Sequence, residues 1–199
     1  MKRKSLLFVW ACMGLVCLMS ACKTSVKSKE WKLVWVEDFD QKNSFDESVW
    51  TKIPRGTSDW NNYMSYYDSC YAMQDGNLIL RGIANHTQKN DTAPYLTGGV
   101  YTKGKKLFTG GRVEVCARLQ AAKGAWPAIW MLPEKAEWPK GGEIDIMERL
   151  NHDHIAYQTT HSYYTHILGI KDNPPHGGIN KINPEEYNIY SVDIYPDSL

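Results

Sequence analysis

Short strand-like segments, separated by clusters of turn residues, fill most of this chain and constrain its fold more than any other feature. Alternation or β-branched and aromatic content marks WKLVWVEDF, NLILRG, GRVEVCARLQ, AIWMLP, GEIDIME, IAYQTTHSYY and YNIYSVDIY. Turn residues separate them in QDGN, TGG, KGKK, PKGG and DNPPHGG. No helical periodicity is sustained after the first 21 residues. The pattern predicts an all-β domain over residues 31–199, a β-sandwich of the jelly-roll type.

The chain stops at YPDSL, directly after a predicted strand. Jelly-roll sheets need their closing strands, because an open sheet edge exposes unpaired backbone groups. We therefore expect this sequence to lack the C-terminal strands of its domain. A fragment that cannot fold by itself is then one of the alternatives to be tested.

The first 21 residues predict a targeting segment, with a basic start (KRK) followed by the apolar run LLFVWACMGLVCLM. This run is short for a membrane span. LMSAC resembles a bacterial lipoprotein box, in which cleavage precedes a lipidated cysteine, here Cys22. Residues 22–30 would form a polar tether, and the protein would be lipid-anchored in the cell envelope, periplasmic or at the cell surface. An ordinary signal peptide is the alternative.

The charge balance and the cysteines exclude some classes of function. Lys and Arg number 23 and Asp and Glu 22, so the chain has no basic excess for nucleic acid. Aromatic residues make up 12% of the chain, which favours stacking surfaces in addition to a core. Cys70 and Cys116 lack metal-ligand spacing. A disulfide between them and two free thiols both stay open.

The segment GGEIDIME concentrates acids on a predicted strand. Glu143 and Asp145 share one face, because successive side chains of a strand alternate between faces. Glu148 is separated from Glu143 by an odd number of positions, which would place it on the opposite face. One extra residue in a β-bulge at Ile146–Met147 would return Glu148 to the face of the other acids.

Two carboxylates flanking a scissile bond are what glycoside hydrolysis requires. With the bulge, the Cα atoms of the outer glutamates would be about 13 Å apart. Side chains that lean inward could then approach the roughly 5–5.5 Å carboxyl separation of a retaining enzyme. A third acid between them would tune their protonation, because nearby like charges raise a pKa.

The motifs resemble those of glycoside hydrolase family 16. GEIDIME matches the family's E-x-D-x-x-E strand, and GAWPAIWMLP looks like its G-x-W-P-A-x-W segment. LVWVEDFD, WNNYMSYYD, QDGNLIL and TGGRVEVCAR resemble other family segments in the same order. The resemblance covers about residues 31–199 and implies a concanavalin A-like jelly roll with a long concave cleft.

The resemblance also implies roles for individual residues in a retaining double displacement. Glu143 would be the nucleophile, Glu148 the acid/base, and Asp145 would hydrogen-bond to Glu143 and tune it. Further residues would bind substrate or support the site; these are Trp126, Trp130, Trp138, His161 and Asn62. The alternatives are core positions for the tryptophans, a structural role for His161, and a turn-shaping role for Asn62.

Departures from the family pattern bear on the substrate. Tyr63 stands where the family often has Glu, Val100 stands where a cleft arginine is frequent, and ERLNHDHIAYQ is not the usual laminarinase continuation. These features fit the endo-β-galactosidase branch, which acts on poly-N-acetyllactosamine and mucin-type chains. The alternatives are a laminarinase-like β-1,3- or mixed-linkage glucanase and a non-catalytic carbohydrate-binding lipoprotein.

The expected partners and cofactors are few. We expect a polysaccharide or host glycan as substrate, a monomer, and membrane contact through the lipid anchor alone. No cofactor is required for the chemistry. The family resemblance allows a structural calcium ion, with one ligand region near Glu37, but the sequence does not assign the site.

Overall fold

Strands form almost all the regular structure in the computed structural model, which describes residues 31–41 and 43–199. The predicted signal peptide, the tether and Cys22 lie outside these residues and stay predictions. One four-residue helix, α1 (Tyr163–His166), and a 3-10 helix (Asp68–Cys70) interrupt the strands. The strands are β1 (Thr51–Lys52), β2 (Tyr71–Gln74), β3 (Asn77–Leu80), β4 (Gly82–Ala84), β5 (Tyr95–Thr97), β6 (Val100–Tyr101), β7 (Gly111–Ala117), β8 (Ala128–Met131), β9 (Glu143–Glu148), β10 (Ile155–His161), β11 (Gly177–Lys181) and β12 (Asn188–Ile194).

A four-stranded antiparallel sheet, in the order β11-β10-β9-β8, carries the acidic motif on its inner strand β9. Strands β7 and β12 form a second antiparallel pair, with Val113 opposite Val192. The smaller pairs are β1-β6, β2-β3 and β4-β5. Among the residues that the structure describes, no helix has the length and apolarity needed to cross a membrane.

The two larger sheets share one hydrophobic core, because each presents one apolar face. On β7, half-buried and exposed residues alternate along the whole strand, as expected for one wet and one covered face. The core contains Leu119, Ile146, Met147, Ala156 and Tyr190. Each fully buried large apolar side chain contributes about 1.5–3 kcal/mol. The result is the predicted all-β sandwich, with the motif strand β9 pressed against the core.

The first predicted strand is not formed, and several other predicted strands end earlier than expected. Residues 31–39 form no strand with any other part of the chain that the structure describes, and side chains make the contacts of this segment. Trp35 packs on Phe108 with ring centroids 5.7 Å apart, and Glu37 accepts a hydrogen bond from Trp50 Nε1 at 2.9 Å. The predicted strand IAYQTTHSYY ends at His161, where Ser162 caps α1.

The two cysteines of the domain are both free thiols in the structure. Cys70 is buried, whereas Cys116 is exposed on β7. Burial raises the pKa of the Cys70 thiol. The disulfide alternative is therefore not realised in this fold.

Candidate active site

The predicted bulge in β9 is confirmed by the strand pairing on both of its edges. On one edge Glu148 pairs with Tyr157 and Asp145 with Thr159, so Ile146 and Met147 together oppose a single residue of β10. On the other edge the register shifts between Ile129 and Trp130 of β8, where Met147 and Asp145 are the successive partners. Ile146 is therefore the extra residue of the ladder.

Burial shows what the bulge does to the faces of β9. The consecutive residues Ile146 and Met147 are only 2% and 0% exposed and both belong to the hydrophobic core. Two neighbouring side chains cannot point to the same side in a regular strand. Because both point inward here, Glu148 returns to the face of Glu143 and Asp145, and the charges of both glutamates act on Asp145.

Asp145 is the buried member of the acidic group, at 5% exposure. Burial, then the charge of Glu148, then that of Glu143, raises its pKa from 3.8 to about 7. The resemblance implied a hydrogen bond between Asp145 and Glu143. The structure instead places His161 Nε2 3.1 Å from Asp145 Oδ2, and that oxygen has no aligned hydrogen-bond donor among the described residues.

Each glutamate carries an indole N–H donor of its own. Trp138 Nε1 donates to Glu143 Oε2 and Trp126 Nε1 donates to Glu148 Oε1, both at 2.7 Å. The two tryptophans are 50% (Trp126) and 47% (Trp138) exposed, so they are not core residues. The family resemblance implied that they contact the sugar. The structure adds a role as hydrogen-bond donors to the carboxylates.

The loop that carries Trp126 is fastened to the chain directly after β9. Gly124 N–H donates to Asn151 Oδ1 at 2.7 Å, and Asn151 N–H donates to Ala125 O at 2.9 Å. The buried Arg149 donates to the carbonyls of Leu119 and Asp153. Trp126 and Glu148 are therefore held by one hydrogen-bonded unit.

Trp138 is held by a tight loop and by α1. Gly142, directly before Glu143, has a φ of +79°, which favours glycine. His161 lies opposite Glu143 in the sheet, and α1 follows with its N-terminus capped by reciprocal Ser162–Thr165 bonds. This places the His166 ring 4.4 Å from the Trp138 ring, centroid to centroid. Sequence reasoning missed His166, and no local pattern marks it, because its contact depends on how α1 packs.

Trp130 lies on β8, whereas Asn62 lies in a turn outside the strands. The rings of Trp130 and Trp60 meet edge-to-face at 5.5 Å, and Trp60 is 43% exposed. The side-chain oxygen of Asn62 is buried without a hydrogen-bond partner among the described residues. Sequence reasoning missed Trp60, although its position beside Asn61 and Asn62 in a polar loop was a usable signal.

The described residues supply no evident metal centre. No group of three or more His, Cys, Asp or Glu side chains in residues 31–41 and 43–199 is arranged to hold an ion. Both carboxylate oxygens of Glu37 accept hydrogen bonds, from Phe39 N–H and from Trp50 Nε1. The calcium ligand region expected near Glu37 stays a prediction.

Comparison with known proteins agrees with this geometry. Residues 68–176 match a family model described as the XgeA-like catalytic GH16 domain. The chain is 37% identical over 181 residues to a keratan-sulfate endo-1,4-beta-galactosidase of Sphingobacterium multivorum, covering 88% of this chain and 42% of that protein. It therefore spans less than half the length of this relative.

Solved structures share the fold. The laminarinase of Rhodothermus marinus superposes with a TM-score of 0.72 at 30% identity, over 84% of this chain and 69% of that chain. A structure from work on human gut microbiota that express endo-acting O-glycanases to initiate mucin breakdown gives a TM-score of 0.62 at 27% identity, over 80% of this chain and 63% of that one. The motif strand, the fold and these matches together place the chain in glycoside hydrolase family 16.

Proposed function

We propose that this chain carries the active site of a retaining endo-β-glycosidase. The observation that carries the proposal is the bulge at Ile146, which places Glu143 and Glu148 on one face of β9, each with an indole donor. Two such carboxylates serve hydrolysis by double displacement. A purely carbohydrate-binding protein would have no use for both.

In the first step, the Glu143 carboxylate attacks the anomeric carbon. The glycosidic C–O bond breaks and the leaving oxygen takes the proton of Glu148, which leaves a covalent glycosyl–Glu143 ester. In the second step, the Glu148 carboxylate takes a proton from water while the water oxygen attacks the anomeric carbon. Glu143 departs with the electron pair of the ester bond, and both groups return to their starting states.

Asp145 and the two tryptophans act on the catalytic glutamates before substrate reacts, through charge and through hydrogen bonds. Asp145, with a pKa near 7, can hold a proton beside two carboxylates and so limit the charge that accumulates in the site. The indole donors fix one oxygen of each glutamate, which leaves the other oxygen for the substrate. The exposed faces of Trp126 and Trp138 suit the C–H-rich faces of pyranose rings.

Kinetics of two variants test the division of labour. Glu143→Ala should abolish turnover of every substrate. Glu148→Ala should retain the first step for aryl glycosides with good leaving groups, and added azide should restore turnover with retained configuration. An inverted first product, or near-normal activity of Glu143→Ala, would overturn the assignment. Tight glycan binding by a wild-type protein without turnover would favour the non-catalytic alternative.

For the substrate, we propose internal cleavage of a galactose-containing host glycan. The proposal is supported by the departures at Tyr63 and Val100, by the similarity to the keratan-sulfate endo-1,4-beta-galactosidase and by the O-glycanase neighbour. Poly-N-acetyllactosamine, mucin O-glycans, laminarin and mixed-linkage glucan should be compared with product analysis. Robust cleavage of laminarin without cleavage of galactosyl chains would favour the glucanase alternative.

A further inference from the structure

The backbone of the bulged residue Ile146 needs hydrogen-bond partners that the side chains of the acidic motif do not provide. A bulged residue is displaced from the regular ladder, so its backbone groups lose their usual strand partners. Ile146 is 2% exposed, so water is a poor substitute for those partners. A buried carbonyl without a donor is costly, and the ladder could relieve that cost by slipping into regular register. Such a slip would turn Glu148 toward the core.

Gln158 supplies a side-chain donor to the bulged residue. It is the residue of β10 that Ile146 and Met147 jointly oppose, and its Nε2 donates to Ile146 O at 3.0 Å. Its neighbours Thr159 and Tyr157 pair with Asp145 and Glu148. The amide side chain of Gln158 therefore lies where it can donate a hydrogen bond to the bulged residue of β9.

A second residue sets the orientation of the Gln158 amide. Asn180 on β11 donates from Nδ2 to Gln158 Oε1 at 2.9 Å. Gln158 pairs with Gly178, so Asn180 is its diagonal neighbour on the same face of the sheet. The reverse orientation of the amide would set the Gln158 oxygen against the Ile146 carbonyl, two acceptors with no proton between them.

We propose that Gln158 is a positioning residue for Glu148, oriented by Asn180, because it holds the bulge that keeps Glu148 on the cleft face. Gln158 does not touch the reacting atoms. The proposal rests on the proposed function of Glu148 as acid/base and extends it to two residues on the neighbouring strands.

The test compares Gln158→Met with a matched control, Thr160→Val. Methionine keeps the length of the side chain but removes the donor. Thr160 lies two residues further along β10, and its hydroxyl donates to His176 O at 3.1 Å, away from the bulge. Gln158→Met removes two side-chain hydrogen bonds and Thr160→Val removes one, all made by residues of the same strand, so a general loss of stability affects both variants.

The kinetic readout is kcat/KM for dinitrophenyl and methoxyphenyl glycosides of the oligosaccharide that the enzyme releases. We expect Gln158→Met to lose about 10- to 100-fold on the methoxyphenyl glycoside, which needs acid assistance, and less than about threefold on the dinitrophenyl glycoside. Thr160→Val should keep the wild-type ratio between the two substrates. Asn180→Ala should shift that ratio in the same direction as Gln158→Met, but less.

A second readout does not depend on activity. Amide hydrogen exchange at Met147 and Glu148 should accelerate in Gln158→Met and stay unchanged in Thr160→Val. Unchanged exchange and an unchanged substrate ratio in Gln158→Met would overturn the proposal, as would equal effects of Thr160→Val. If Glu148→Ala shows no dependence on the leaving group while exchange still accelerates in Gln158→Met, the acid/base assignment fails and the bulge contact stands.

Discussion

Asp145 should make the stability of this fold depend on pH in the direction opposite to that of an ion-paired surface acid. Its pKa is raised from 3.8 to about 7, by burial first and then by Glu148 and Glu143. The folded protein therefore binds more protons than the unfolded chain between these pH values. The free energy of unfolding falls as pH rises through this range.

The size of the effect follows from the two pKa values. One pKa unit corresponds to about 1.36 kcal/mol, so the difference between 3.8 and about 7 corresponds to about 4 kcal/mol. This is an upper value, because the neighbouring carboxylates titrate together with Asp145 and absorb part of it. The contribution is fully favourable below about pH 4 and is lost by about pH 8.

Asp145→Asn removes the ionisable group with little change of shape. At about pH 4 the variant and the wild type should differ little through this group, because both side chains are then neutral. At about pH 8 the variant should be more stable by up to about 4 kcal/mol. Urea unfolding followed by tryptophan fluorescence, at intervals between these pH values, gives the difference directly.

A control of opposite sign exists at Asp68. Its side chain is 98% exposed, and the hydrogen bond and charge of Lys52 lower the pKa of its carboxyl. The stability from this pair is present above the unfolded pKa and is lost as pH falls through the lowered value, so Asp68→Asn should lose stability relative to wild type as pH rises. If the Asp145→Asn difference is flat, or falls with pH, the reasoning is refuted.

Further predictions concern the indole donor, the core, the buried cation and the anchor. Trp138→Phe keeps an aromatic face but removes the N–H on Glu143, and kcat/KM should fall about 10- to 100-fold without unfolding; an unchanged value would contradict the role of the donor. Met147→Ala should lower the free energy of unfolding in urea by about 2–5 kcal/mol, because the side chain is fully buried. Arg149→Met leaves two carbonyls without donors and should lower the free energy of unfolding by about 2–4 kcal/mol. An unchanged free energy of unfolding would show that water replaces the guanidinium. Cys22→Ser should abolish incorporation of labelled fatty acid in cells, and continued labelling would exclude the predicted lipid site.

Much of the structure of the acidic strand could be predicted from the sequence, because the face on which a strand residue lies depends on its position along the strand alone. Alternation alone cannot place Glu143, Asp145 and Glu148 on one face, so the assumption that they share a face predicts a bulge, which we placed at Ile146–Met147. The same local logic located β7, β8, β9 and β12. It failed for residues 31–39, where the strand pattern is present but none of the described residues pairs with the segment as a strand.

Only the tertiary structure decided which side chains hold the acids in place. The contact of Gln158 with Ile146 O, the indole bonds to the glutamates and the packing of His166 on Trp138 each join residues from different strands or loops. The raised pKa of Asp145 likewise depends on burial between strands. Alternation along a strand is set by the backbone of the residues concerned. Hydrogen bonds across strands depend on register and loop packing, which the whole chain determines together.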